Sequence, residues 1–429
     1  MFKKLPWQEE LAIIDRTMKA ISGITDPAKL VEVYWGNIGE LLTVRNFVAV
    51  SRRNVEPPYY LVTRSSRFAE TLNPWTQRDR LPKLCGGILG EIAYANRPVI
   101  FDDLPARLTA DDPGRFYLEG FERMVALPQY DQGEGLNVTG MLLPAGVEID
   151  TSMIPSMHLQ SGLFGRGTQN LVLRNQLTTA LAALDRELQI VGEIQRSLLP
   201  ETLPTIPGFE IAAYYQTSAQ AGGDYYDFFP LEDGGCGLFI ADVSGHGSPA
   251  TVLMAITHAL AHAKPRVHTP PAMLLGYLND RLTHAYTRNG TFVTAFYAVL
   301  DSHERTLTYS RAGHNPPRVL RGNQVLSIDG LGGLPLGILE KQAYSESTLK
   351  LESGDLLLLY TDGITEAVAP LQKGAERKRF EVERLDEVLL GCTGCTADQS
   401  IARIRAAVSA FTENGQPTDD QTLIAIRCL

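Results

Sequence analysis

The chain has 429 residues, which at about one to two hundred residues per domain makes room for two or three domains. Lys and Arg number 39 against 49 Asp and Glu, a formal charge of −10 that argues against a general nucleic-acid binder, because such a protein needs a cationic surface to displace counterions from phosphates. Charged residues at 21% and hydrophobic residues at 44% are ordinary globular values that favour neither a disordered chain nor a fibrous repeat.

Taken in chain order, ELAIIDRTMKAI and DPAKLVEVYWGNIGELL predict two opening helices, the second with Asp26 and Pro27 as cap and first turn. FVAVSRR, YYLVTRSS, PVIFDD, RMVALPQY and VTGMLLPAG read as short strands broken by Pro, Gly and Asp, so helices on an antiparallel sheet are expected over residues 1–165. Over 166–199 the texture changes. Leu173, Leu177, Leu181, Leu184, Leu188 and Val191 alternate four and three apart on one helical seam, which predicts a helical linker with coiled-coil spacing or a helix packed on its own domain. Beyond residue 200, strands are expected at FEIAAYYQ, CGLFIADVS, VTAFYAVLD, LTYSRAG, PRVLRG, QVLSID, DLLLLYTDG and TLIAIRCL. Helices are expected at SPATVLMAITHALAHA, PAMLLGYLNDRLTHAY, VERLDEVLLG and DQSIARIRAAVSAFTEN. Gly322–Asn323 is a two-residue hairpin signal, and the whole chain reads as α+β, its last part as two stacked sheets flanked by helices.

Four acidic positions share one context, each at the end of an apolar run and before a polar or Gly-rich turn: Asp224 in AGGDYYD, Asp242 in FIADVSGHG, Asp362 in LLLLYTDGITEA, and the pair Asp419 and Asp420 in PTDDQTLIAI. One such aspartate is usually a turn residue. Four that converge would repel one another strongly unless a cation joined them. All-oxygen ligation selects a hard ion such as Mg²⁺ or Mn²⁺, and a pair of these can acidify a water and neutralise a phosphoryl group.

GGDYYD, ADVSGHG, AGHNPP, GLPLGI, LLLLYTDGITEA and DDQT follow one another in an order that resembles the bacterial PPM (PP2C-like) serine/threonine phosphatases of the SpoIIE and RsbU type, over residues 200–429. QRSLLPETLP resembles the usual lead-in to that domain. The resemblance implies an αββα sandwich and direct hydrolysis of phosphoserine or phosphothreonine with two Mn²⁺ or Mg²⁺ ions. It implies that Asp242 bridges the ions, that the Val243 carbonyl, Asp224, Asp362 and Asp419 complete the shells, with Asp420 as a further candidate, and that His246 is a candidate for proton transfer. The implied substrate is a phosphorylated STAS-type anti-sigma-factor antagonist. Residues 1–165, through GGILGEIAYANRPVIFDDLPA, resemble a GAF domain, which implies a sensor of a small molecule or protein and, with the linker seam, a homodimer. The pattern departs from eukaryotic PP2C enzymes in having no arginine around Asp224 to grip phosphate.

Other signals have plainer readings. His258 and His262 lie four apart on a helix, but no Glu follows the first as in HExxH, so packing or surface roles are expected. His314 in AGHNPP is either a proton-transfer partner or a strand-end tie. Cys392 and Cys395 form CTGC without a second ligand pair and read as small buried residues. The stretch QKGAERKRF, 372–380, reads as a solvated basic loop or a partner contact. GGDYYD lacks the acid and Phe of a diguanylate cyclase, and neither a Cys-x₅-Arg loop nor a GxSxG elbow is present. No run is apolar enough to cross a membrane, and Glu9 and Glu10 follow MFKKLPWQ too closely for a signal peptide, so a cytoplasmic protein without membrane or nucleic-acid partners is expected. The rival reading is a pseudophosphatase or ligand-sensing scaffold that binds a partner without turnover.

Overall fold

The computed structural model describes all residues except 1–5, 41–44, 232–233, 246, 264–268, 288–289, 331 and 371–376. The chain forms two compact units, Met1–Ala182 and Ala183–Leu429.

The first unit opens with α1 (Trp7–Ser22) and α2 (Pro27–Ile38). Asp26 caps α2 as expected, its carboxylate accepting from Ala28 N at 2.9 Å with Pro27 in the first turn. There follow β1 (Phe47–Ser51), β2 (Tyr59–Ser65), β3 (Lys83–Cys85), α3 (Gly87–Tyr94), β4 (Val99–Phe101), α4 (Arg115–Leu118), β5 (Arg123–Asp131) and β6 (Glu134–Leu143). The six strands form one antiparallel sheet in the order β3-β2-β1-β6-β5-β4. Alternation sorts its two faces: Met124 and Ala126 of β5 join Ile88, Leu89 and Ile92 of α3, whereas Val125 and Leu127 point the other way and meet Met157. Met157 belongs to α5 (Ile154–Arg196), a helix that starts well before the leucine seam because Ile154 and Met157 are anchored on that face.

The second unit holds β7 (Phe209–Gln216), β8 (Tyr225–Pro230), β9 (Cys236–Val243), α6 (Ser248–Ala263), α7 (Pro271–Ala285), β10 (Val293–Asp301), β11 (Thr306–Ala312), β12 (Arg318–Arg321), β13 (Gln324–Ser327), β14 (Ser347–Lys350), β15 (Leu356–Tyr360), α8 (Asp362–Thr365), α9 (Glu381–Leu390), α10 (Ala397–Phe411) and β16 (Gln421–Cys428). Two five-stranded antiparallel sheets result, β14-β11-β10-β9-β8 and β13-β12-β15-β16-β7. Their inner faces share one core: Phe228, Leu238, Ile240, Phe296 and Leu307 from the first pack with Val319, Leu357, Leu359, Ile424 and Ile426 from the second. On the outer face of the first sheet, Tyr225, Phe239, Ala241 and Val243 lie under Leu253, Met254, Leu275 and Leu278 of α6 and α7. On the outer face of the second, Leu356, Leu358, Leu423 and Ala425 lie under Leu385, Leu389, Ile404 and Val408 of α9 and α10. This is the α/β/β/α layering the sequence predicts.

The predicted helices α6, α7, α9 and α10 and the Gly322 hairpin form as expected, Gly322 at φ 57°. Three strands were not predicted, among them the three-residue β3. β8, YYDFFP, is buried on both faces and so lacks alternation, and β14 is a four-residue edge strand. Cys392 and Cys395 are buried against α9 and α10, the packing role expected of them.

Candidate active site

The acids converge because strand parity carries them there. Asp242 follows Leu238 and Ile240 on the inner face of β9, and Asp224 precedes Tyr226 and Phe228 on the inner face of β8. Across the sandwich the same parity places Thr361 after Leu357 and Leu359, and Thr422 before Ile424 and Ile426. The apolar core thus ends in a polar layer. Thr361 Oγ1 and Thr422 Oγ1 donate to Asp224 Oδ2 at 2.8 and 2.6 Å, joining the two sheets through a carboxylate that is only 1% exposed. Thr422 N in turn donates to Thr361 Oγ1 at 2.9 Å.

Backbone contact closes the site. The side-chain amide of Gln195, in the last turn of α5, pairs with both backbone groups of Gly222, Nε2 donating to its carbonyl at 2.7 Å and Oε1 accepting from its N–H at 2.8 Å. Asp420 holds the same loop from the other side: Oδ1 accepts from Ser218 N at 2.8 Å and Ser218 Oγ at 3.1 Å, and Oδ2 from Gly223 N at 2.6 Å. A Cβ at Gly363 would sit 1.9 Å from the Asp420 carbonyl, so only glycine lets α8, with Asp362 as its first residue, approach the DDQT segment. A Cβ at Gly223 would lie 3.0 Å from the Val243 carbonyl, which places that carbonyl beside the Asp224 loop. Asp419 is exposed, its Oδ1 accepting from Asp420 N at 2.9 Å.

The family description Stage II sporulation protein E (SpoIIE) matches residues 232–429. The chain is 28% identical over 243 residues to phosphoserine phosphatase RsbU of Bacillus subtilis, covering 56% of this chain and 70% of RsbU. It is 27% identical over 246 residues to protein IcfG of Synechocystis sp., covering 50% of this chain but only 39% of IcfG, so it spans well under half of that relative. Among solved structures, the SiaA-PP2C domain of Pseudomonas aeruginosa superposes with a TM-score of 0.52 at 21% identity, covering 58% of this chain and 98% of that domain. Residues 232–429 therefore match the SpoIIE family description, and the fold of the second unit is that of a PP2C domain.

Within this PP2C-like fold the acidic end is crowded. Burial, then the charge of Asp242, holds the Asp224 carboxyl well above the usual carboxylate range. Asp242 is pushed up to about 7 by burial and by Asp362, Asp419 and Asp420. Asp362 is pushed up to about 6 by burial, Asp419 and Glu366. These carboxyls sense one another, yet they are not drawn tightly together. Among the described residues, the group whose potential ligand atoms lie within 4.8 Å of one another is instead Asp227, His258 and His262.

Other predicted residues fall as follows. His246 lies outside the described residues. His314 is buried, Nδ1 facing Thr294 Oγ1 at 2.9 Å, and burial with the nearby Arg311 lowers its pKa to about 3, so it is a neutral tie between strands. Of the basic stretch, residues 372–376 are outside the described residues, Arg377 and Lys378 are exposed, and Arg379 pairs with Glu366 at 2.6 Å. Thr361, Thr422 and Gln195 lie inside LLLLYTDGITEA, DDQT and QRSLLPETLP, but the sequence reading assigns no role to them or to Ser218. The two threonines were nonetheless findable, as polar residues at inner-face positions of otherwise apolar strands.

Replacing Asp420 by Ala strips Ser218 N and Gly223 N of their partner and is expected to cost about 2 kcal/mol in urea unfolding, whereas Asp419→Ala at the exposed neighbour should cost less than about 1 kcal/mol. Asp420→Ala unfolding at the wild-type midpoint would remove the bracing role. The raised carboxyls also set a sign. In the ion-free protein Asp242 keeps a proton that the unfolded chain has released, so stability falls as pH rises from the ordinary 3.8 towards about 7 and levels off above it. Thermal midpoints of chelator-treated protein should show this fall, and Asp242→Asn should make it shallower; equal slopes would contradict the crowding.

Proposed function

We propose that the chain is a divalent-metal-dependent protein serine/threonine phosphatase that hydrolyses phosphoserine or phosphothreonine, its most fitting substrate a phosphorylated STAS-type anti-sigma-factor antagonist. The observation that carries this reading is the gathering of Asp224, Asp242, Asp362 and Asp419 at one end of a PP2C-like sandwich, beside the Val243 carbonyl. The donor set fits hard divalent ions: it is all oxygen, and burial together with neighbouring acids raises the carboxyls of Asp242 and Asp362, a strain that positive charge would relieve. Asp242 is central because its pKa responds to Asp362 and Asp419 while it hydrogen-bonds Asp224. Bound there, a pair of Mn²⁺ or Mg²⁺ ions would supply charge neutralisation and an acidified water for in-line attack on the phosphoryl group. Thr361 and Thr422 fix Asp224, and Asp420, with both oxygens engaged by Ser218 and Gly223, serves as brace of the loop.

In the same reading residues 1–165 are a GAF-like sensor, 166–199 a linker and 200–429 the catalytic domain, in the cytoplasm. A cavity of about 140 Å³ in the first unit, lined by Arg53, Arg64, Arg78, Trp35 and Trp75 among others, supports an anionic small-molecule input. Gln195 supports regulation through the linker, because it ties the last turn of α5 to the loop that ends in Asp224. Leu173, Leu177, Leu181 and Leu184 remain 52–61% exposed along α5, which supports a homodimer through that seam. The name of RsbU supports phosphoserine as the hydrolysed group.

Purified protein with Mn²⁺ should release phosphate from a phosphorylated STAS protein, and Asp242→Asn should lower kcat by at least about a thousandfold, of the order of one lost electrostatic contact at a reacting centre. Binding of that phosphoprotein without turnover would favour the pseudophosphatase. In sedimentation the wild type should dimerise at micromolar concentration, and the double variant Leu177→Glu with Leu181→Glu should weaken the dimer at least tenfold. A wild type that stays monomeric would end the seam argument.

A further inference from the structure

The outer face of β8 carries a second constellation, three residues beyond Asp224 and on the opposite side of the sheet. Asp227 shares the parity of Tyr225 and therefore points away from the inter-sheet core, towards α6. His258 and His262, one helical turn apart on α6, present their rings to it. The rings are 4.3 Å apart between centroids at 39°, and His262 Nε2 lies 2.6 Å from Asp227 Oδ2. One ligand atom from each of the three residues falls within 4.8 Å of the others.

We propose that Asp227, His258 and His262 bind a single transition-metal ion of the zinc class, at a site chemically distinct from the carboxylate cluster. Two imidazoles and one carboxylate suit Zn²⁺, Co²⁺ or Ni²⁺ and not Mg²⁺, which prefers oxygen and water. The supporting groups suit a ligand carboxylate. Tyr225 Oη donates to Asp227 Oδ2 at 2.5 Å, and Phe228 N donates to Oδ1 at 2.7 Å, so both oxygens are oriented by partners on β8 itself. His258 is half-buried, and burial and the neighbouring His262 lower its pKa, keeping it the neutral imidazole that a metal requires. The ring of Tyr225 packs edge-on against His258 and that of Phe229 against His262. His262, 38% exposed, opens the site to solvent. The present His262–Asp227 contact is hydrogen-bond length; with metal bonds of about 2.0–2.1 Å in a tetrahedral shell the two atoms would stand about 3.3 Å apart, a shift that the exposed His262 makes by a small rotation.

The consequence is mechanical. β8 begins at the residue after Asp224, and α6 begins five residues after Val243. An ion at Asp227, His258 and His262 staples these two elements together from the face opposite the carboxylates. It would stiffen the frame that holds Asp224 and the Val243 carbonyl without touching either.

The full chain, loaded with Zn²⁺ in excess Mg²⁺ to occupy the carboxylate cluster and then passed through a desalting column, should retain about one equivalent of zinc by elemental analysis. His258→Ala and His262→Ala should each lose that equivalent with unchanged far-ultraviolet dichroism, and Asp242→Asn should keep it. Loaded with Co²⁺ under the same conditions, the wild type should show the intense visible bands of a four-coordinate nitrogen- and oxygen-bound ion, a test that stands even if a histidine variant fails to fold. Retention of zinc by both histidine variants, loss of it in Asp242→Asn alone, a wild type that holds none, or thiolate charge-transfer bands pointing to Cys392 and Cys395 would each overturn the assignment.

Discussion

The carboxylate of Asp224 is enclosed where two sheets meet, and the surroundings are arranged around that fact. A carboxylate removed from water needs hydrogen-bond donors, and here they come from the facing sheet: the hydroxyls of Thr361 and Thr422 converge on one oxygen. Because Thr361 follows β15 and Thr422 lies in β16, those donors arrive only if the two sheets are stacked in the observed register. The sandwich core and the acidic end are therefore not separable pieces. The strands that bury Leu357, Leu359, Ile424 and Ile426 also deliver the threonines.

The hydrogen bonds from Thr361 and Thr422 favour the ionised form of Asp224, while burial and the neighbouring acids disfavour it, and the second influence wins. The site is held in this unbalanced state by contacts that lie outside the acids themselves. Gly222 is gripped at both backbone atoms by Gln195, Gly223 donates to Asp420, and Gly363 admits a carbonyl that any side chain would exclude. A loop free to relax would swing Asp224 towards water and let the carboxylates spread. Gln195, only 2% exposed, and Asp420 prevent that, which is why residues with no claim on a phosphate matter as much to this end of the sandwich as those with one.

Asp242 and Asp362 were legible in sequence because each closes an apolar run, the strongest local signal a strand gives, whereas Asp224 and Asp420 stand just ahead of β8 and β16 and not at a strand's end. Their convergence was legible only through the ordered motifs, since a strand end does not say what lies opposite. Asp420 shows the limit: DDQT offers two neighbouring carboxylates, and only the fold separates the one braced against Ser218 and Gly223 from its exposed neighbour Asp419. Asp227 shows it again. In YYDFFP it is one polar residue in a strand buried on both faces, and its relation to His258 and His262 depends on α6 crossing β8 some thirty residues later, a contact for which no local pattern exists. The start of α5 was missed for a related reason: Ile154 and Met157 are fixed by the face of β5, not by helical periodicity of their own.

The exposed seam of α5 raises a question of magnitude. Leu173, Leu177, Leu181 and Leu184 each leave about half of their surface uncovered. Full burial of such a side chain is worth roughly 1.5–3 kcal/mol, so covering the remaining half on two chains gains about 6–12 kcal/mol before any cost. Association itself costs about 4–15 kcal/mol in lost freedom. These ranges overlap, so pairing through this seam would sit close to balance. A contact so close to balance is moved by small changes in the helix that carries it, and the last turn of that helix is the one in which Gln195 holds Gly222.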